Sequence, residues 1–134
     1  MRGSTRYGLA GIGALGLLTT VHWLRDLAWP RSGIADYLIG VLPNFAAAVA
    51  IVFVPLSIWS DQNRDADAAS LDRALMVSAS ISSIGLLCWE LFQRTSNRLV
   101  FDPHDIGATL VGVVTAYILF HLLTPRSNPD DNRG

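Results

Sequence analysis

Four stretches of this chain contain no Asp, Glu, Lys or Arg: Tyr7 to Leu24, Tyr37 to Trp59, Leu75 to Trp89 and Ile106 to Leu123. They hold 18, 23, 15 and 18 residues, more than half of a 134-residue sequence. A helix rises about 1.5 Å per residue and the hydrocarbon core of a bilayer is about 30 Å thick, so runs of this length cross it. The third run is short only because Glu90 interrupts it. Continuing through Leu91 and Phe92 restores 18 residues from Leu75 and puts the carboxylate at the membrane boundary, where a charge is tolerated. The expected fold is an all-α integral membrane protein, a four-transmembrane-helix bundle with spans 7–24, 37–59, 75–92 and 106–123. These form one domain over 1–124. The segment 125–134, with Pro125, Asn128, Pro129, Asp130 and Asp131, reads as a polar, disordered tail.

Arg2 and Arg6 precede the first run as they would in a secretory signal. That run is long for such a signal, however, and continues into His22, Trp23 and Arg25 rather than a small-x-small cleavage site, so it reads as a retained anchor. The bases are ten Arg with no Lys, the acids ten Asp and one Glu, and a net charge of -1 leaves no basic footprint for nucleic acid. A single cysteine excludes an internal disulfide and a cysteine-rich metal site; Cys88, inside an apolar run, is expected to pack. With four spans the termini share a side. That side carries Arg2, Arg6, Arg64, Arg73, Arg126 and Arg133 against Arg25, Arg31, Arg94 and Arg98 opposite, which places both termini in the cytoplasm. Trp23, Trp29, Trp59 and Trp89 fall at or just beyond span ends, where an amphipathic indole is most comfortable.

Lipid gives helices no hydrophobic reason to associate, so small residues that permit close backbone approach mark the expected contacts. Ala74, Ser78 and Ser82 form a ladder on the third span and Ala108, Gly112 and Ala116 on the fourth. Span one offers Gly8, Gly11, Gly13 and Gly16, and span two Ala46, Ala47, Ala48 and Ala50. Pro43 and Pro55 lie inside span two. Each removes a backbone donor, freeing a carbonyl that a neighbour or a ligand must satisfy.

Polar residues gather on the side away from the termini. Asp36 and Asn44 flank the start of span two, Glu90 and Gln93 end span three, and Arg98, Asp102, His104 and Asp105 lead into span four, with Thr109 one turn further. Asp105, Thr109 and Gly112 share one helical face, as do Glu90 and Gln93 on theirs. Brought together, these acids, amides, a hydroxyl and a guanidinium suit a polar head group or a phosphate, with Arg98 pairing the anion and Asn44 orienting the acids. Asp102 and Asp105 also have a simpler use, favouring the start of a helix through its dipole, and Arg98 can meet lipid phosphate without specificity. Glu90 is the only Glu, and the apolar run continues past it. His22, Asp26 and His104 fall on the same side but lack the spacing of a metal-binding helix, so neither metal nor cofactor is expected. No phosphate-binding loop, nucleophile elbow or catalytic triad is readable. Glu90, Asp102, His104 and Asp105 are residue types that permit acid–base chemistry, but no spacing demands it.

The stretch Trp89 to Gly112, WELFQRTSNRLVFDPHDIGATLVG, resembles the signature of VanZ-like membrane proteins: a Glu and a Gln three apart closing one span, a basic linker, an Asp opening the next, then small residues and Gly. Pro43, Asn44, Phe53 and Pro55 of span two are similar to that family's asparagine and its Phe-x-Pro-x-Gly pattern. The chain departs from the pattern at Thr109, where the family usually has Asn, and at Ser57, where it has Gly. The resemblance covers about two thirds of the chain. It implies a small protein of the bacterial cytoplasmic membrane, whose characterised relatives lower sensitivity to teicoplanin-like glycopeptides. On this reading Glu90, Gln93, Arg98, Asp105, Asn44, Thr109 and Asp102 bind a polar or lipid-linked envelope precursor, or the glycopeptide. Membrane lipids, a second copy or another membrane protein are the further expected partners. Three rival expectations stand beside it, one of them an enzyme acting on lipid-linked substrates with Asp102, Asp105, Glu90 and His104 as acid, base or metal ligands. A lone Glu among four short spans suits a proton-coupled exporter, although Glu90 lies nearer a span end than the midplane. The small-residue faces equally suit a non-catalytic subunit docked on a larger membrane protein.

Overall fold

The computed structural model describes residues 3–27, 33–95 and 102–124. Trp29, Arg31, Arg98 and the 125–134 tail lie outside the described residues. Four helices run in order: α1 (Gly3–Asp26), α2 (Gly33–Gln62), α3 (Ala68–Thr95) and α4 (Pro103–Leu123). All four are long and apolar enough to cross a membrane, and there is no strand among the described residues. The protein is an all-α four-helix bundle of the multi-pass membrane type.

Each helix continues past its charge-free run until the chain supplies a stop. Asn63 closes α2, with both its backbone N–H and its Nδ2 donating to Trp59 O at 2.9 Å. Asp67 then opens α3: its Oδ1 accepts from the Ser70 N–H at 2.9 Å, satisfying one of the donors a helix start leaves unpaired. Asp102 does the same for α4, accepting from the His104 N–H at 2.9 Å, with Pro103 pre-set for the first turn. At the far end of α4, Arg6 of α1 donates to Leu123 O at 3.0 Å and the Tyr7 hydroxyl lies 2.7 Å from Thr124 Oγ1.

α2 is the hub. It packs against each of the other three helices, most extensively against α1; α3 meets α4, α1 only grazes α4, and the backbones of α1 and α3 do not approach closely among the described residues. Accordingly α2 contributes Ala46, Ala48, Val49, Ala50, Val52, Phe53 and Leu56 to the buried core. The termini-side end is held by Tyr7 stacked between Phe53 and Phe120, at ring-centroid distances of 6.2 and 5.6 Å. Large side chains such as Ile12, Ile34, Ile84, Val114 and Leu122 point outward, more than half exposed. An apolar exterior of that extent fits lipid rather than water.

The small-residue faces are largely where expected. On α4, Gly112 and Ala116 are buried against α2, and a Cβ added to Gly112 would meet Phe45 O at 2.7 Å and the Ala48 Cβ at 2.8 Å. On α3, Ser78 and Ser82 are buried, and Ser82 Oγ donates to Ala48 O at 3.1 Å. Span one is corrected in part: Gly11 abuts Val54 and Gly8 abuts Ser57, but Gly13 and Gly16 face open space. Cys88 is also corrected, being exposed on the outer surface of α3 rather than packed within the bundle.

Candidate functional site

The inward stripe of α3 is Leu75, Ser78, Ser82 and Glu90. Because Glu90 falls in phase with the three before it, its carboxylate is carried inward, and the residue is only 1% exposed. Its Oε1 accepts from two amides: Asn44 Nδ2 on α2 at 3.3 Å and Gln93 Nε2, one turn along α3, at 3.2 Å. Its Oε2 is buried with no hydrogen-bond partner among the described residues. Thr109 on α4 is likewise 1% exposed, with its Oγ1 buried and unpartnered.

Asp105 completes the group from α4. Its carboxyl interacts with the Asn44 side chain and electrostatically with Glu90, with Arg25 and with the Asp102 and His104 pair. Asn44 therefore donates to the Glu90 carboxylate on α3 and stands near the Asp105 carboxylate on α4. Of the residues singled out from sequence, Glu90, Gln93, Asn44 and Asp105 converge, and Thr109 lies on the same inward face of α4. Asp102 stands at the margin and is occupied with capping. Its Oδ1 also lies 2.8 Å from His104 Nδ1, and the His104 N–H, followed by the His104 ring, holds its carboxyl below the usual carboxylate range. Arg98 is outside the described residues.

Sequence reasoning missed Arg25, which it counted only for topology. A proline at position 43 has no N–H to offer the carbonyl four residues earlier, that of Ile39. Arg25, at the end of α1, supplies the donor: Nε lies 3.1 Å from Ile39 O and Nη2 lies 2.9 Å from Gly40 O. The turn of α2 that precedes Pro43 and Asn44 is thus clamped from α1. The signal that could have found this was the orphaned carbonyl itself, which a guanidinium with several N–H groups is suited to satisfy.

Two apolar grooves mark the outside of the bundle. One, of about 500 Å³, runs between α2 and α3 past Pro55, Trp59, Arg73 and Val77; the other, of about 650 Å³, runs between α2 and α4 past Tyr37, Phe45, His104 and Ala108. Neither is lined by Glu90, Gln93, Asn44, Asp105 or Thr109. Volume and chemistry therefore point to different places. The chemistry carries more weight here, because apolar grooves between membrane helices are where acyl chains lie, whereas an unpartnered buried carboxylate oxygen is costly anywhere. Among the described residues no three His, Cys, Asp or Glu side chains are grouped to hold a metal ion. The ring of His22 is turned to Leu18 O at 2.9 Å, away from such a role.

Comparison with family models, with curated proteins and with solved structures gives no match.

Proposed function

We propose that this chain is a VanZ-like protein of the bacterial cytoplasmic membrane, with both termini in the cytoplasm, that changes cell-envelope or glycopeptide sensitivity by binding the polar part of a membrane-resident ligand around Glu90. One observation carries the reading: Asn44, Glu90, Gln93 and Asp105, positions drawn from three separate stretches of the resemblance, form one hydrogen-bonded and electrostatic group at the end of the bundle away from the termini. A structural polar contact would leave its groups satisfied. Here a buried carboxylate oxygen accepts no hydrogen bond from the described residues, so it can take one from a donor that a ligand brings.

The test is the glycopeptide susceptibility of cells expressing the wild type, Glu90→Gln or Asp105→Asn, with membrane levels measured in parallel. Protection by the wild type that is lost in both variants at equal membrane abundance is the expected result. Full protection by a normally inserted Glu90→Gln variant would overturn the proposal. The exporter reading has one specific point in its favour, the burial of the lone Glu, and a lipophilic cationic dye in the same assay addresses it: dye resistance without glycopeptide protection moves the assignment there.

A further inference from the structure

We infer that the group seated at Glu90 is a primary ammonium, the amine of a lipid head group or of a membrane-soluble alkylamine. This rests on the reading of the Glu90 cluster as a ligand site and names the ligand's chemistry. The cluster is short of hydrogen-bond donors. Glu90 Oε1 already has two amide donors, while Glu90 Oε2 has none and Thr109 Oγ1 is buried without a partner. Two carboxylates, Glu90 on α3 and Asp105 on α4, are close enough to interact electrostatically, and Asp102 adds a third negative group nearby. Among the described residues, the basic groups set against them are Arg25 from α1, whose guanidinium spans the Ile39 and Gly40 carbonyls, and His104, engaged with Asp102. α2 contributes the neutral Asn44 to this group. An anion entering here meets net repulsion in a low-dielectric setting, whereas a cation is attracted.

Charge alone admits any cation; the open valences narrow the class. An ammonium bears three N–H donors, and the oxygens lacking donors are those of Glu90 and Thr109. A quaternary ammonium would bring charge but no N–H, leaving Oε2 as unsatisfied as before.

The experiment uses the full chain in nanodiscs of choline-headed lipid, which contain no primary amine, with calorimetric titration of octylamine, octyltrimethylammonium and octyl phosphate. Octylamine is expected to bind saturably at one site and the other two to bind at least about tenfold more weakly, the equivalent of one lost charge-assisted hydrogen bond. Glu90→Gln is expected to abolish octylamine binding. Thr109→Val, which removes a hydroxyl that bonds to nothing among the described residues, keeps the fold and weakens binding by roughly tenfold. Helicity and elution volume are checked for both variants. Competition when ethanolamine-headed lipid replaces choline lipid identifies a lipid head group as the source; absence of competition identifies a free amine, and both outcomes support the ammonium class. Equal binding of octyltrimethylammonium, preferential binding of octyl phosphate, or no saturable octylamine binding by the wild type would each overturn the inference. The two proposals fail separately: amine binding with unaltered glycopeptide susceptibility removes the envelope function and leaves the site, while glycopeptide protection with octyl phosphate bound does the reverse.

Discussion

Removing the Arg25 side chain tests whether the clamp on the proline turn holds the bundle. Arg25→Ala strips two hydrogen bonds, those to Ile39 O at 3.1 Å and Gly40 O at 2.9 Å. A bond from a charged donor contributes about 1.5–3 kcal/mol in a buried setting, but Arg25 is exposed and water competes, so about 1 kcal/mol for each is the appropriate figure. Arg25→Ala should therefore cost about 2 kcal/mol. Half of that has a specific cause, the donor missing at Pro43. Pro43→Ala returns an N–H to that position, within one helical turn of Ile39 O, so in that background Arg25→Ala should cost only about 1 kcal/mol. The coupling in the double-mutant cycle is then about 1 kcal/mol, well outside the roughly 0.3–0.5 kcal/mol scatter of independent sites. The assay is denaturation with sodium dodecyl sulfate in mixed micelles, followed by tryptophan fluorescence and far-ultraviolet helicity. An Arg25→Ala cost that is the same with and without Pro43 would refute the account, because Arg25 would then be acting through something other than the proline's free carbonyl.

The same assay reads two further expectations. Gly112→Ala places a methyl 2.7 Å from Phe45 O and 2.8 Å from the Ala48 Cβ, forcing α4 away from α2 at a cost of about 1–3 kcal/mol, whereas Gly13→Ala, with nothing within 4 Å, should be neutral or gain up to about 1 kcal/mol of helix propensity; equal effects would deny the α2–α4 seam. Asp67 and Asp102 cap α3 and α4. The Asp67 carboxyl is held low by its hydrogen bonds from Ser70, as that of Asp102 is by His104. A folded-state pKa below the unfolded value means that the carboxylate form stabilises the fold, fully above about pH 4, and that this is lost as pH falls through the lowered folded value. Asp67→Asn and Asp102→Asn should each flatten the acid-side loss of stability measured from neutral pH to about pH 3; variants that track the wild type would refute the assignment.

The spans were legible because hydrocarbon forbids charge: four charge-free runs leave little choice of which segments cross. The helix ends were less so. α2 continues to Gln62 and α3 begins at Ala68, beyond the charge-free runs, because a helix outside the hydrocarbon needs only satisfied backbone groups, and Asn63 and Asp67 provide them. Where the small-residue reading respected the helical period it held, as for Ser78 and Ser82 or Gly112 and Ala116. Where it counted glycines without regard to phase it did not: Gly13 and Gly16 turn away from the face that carries Gly11. Cys88 shows the same point, since it precedes Glu90 by two residues and so faces about 160° away from it, outward where Glu90 is inward.

The site was legible as a set of residue types and only partly as a geometry. Glu90 stands in phase with Leu75, Ser78 and Ser82, which is enough to say that it points inward, but nothing in the sequence says that Asn44 and Gln93 serve the same one of its oxygens and leave the other bare. Pro43 announced a free carbonyl, and the partner that meets it is on another helix, 14 residues earlier than Ile39 in the chain. The two facts belong to one turn of α2. Its backbone carbonyls at Ile39 and Gly40 reach α1 through Arg25, and its Asn44 side chain reaches α3 through Glu90 and α4 through Asp105. At this end of the bundle all four helices therefore meet around the turn that contains Pro43. A ligand that engages Glu90 acts on the same short segment that Arg25 holds, so occupancy of the site and the stability of that clamp are expected to move together.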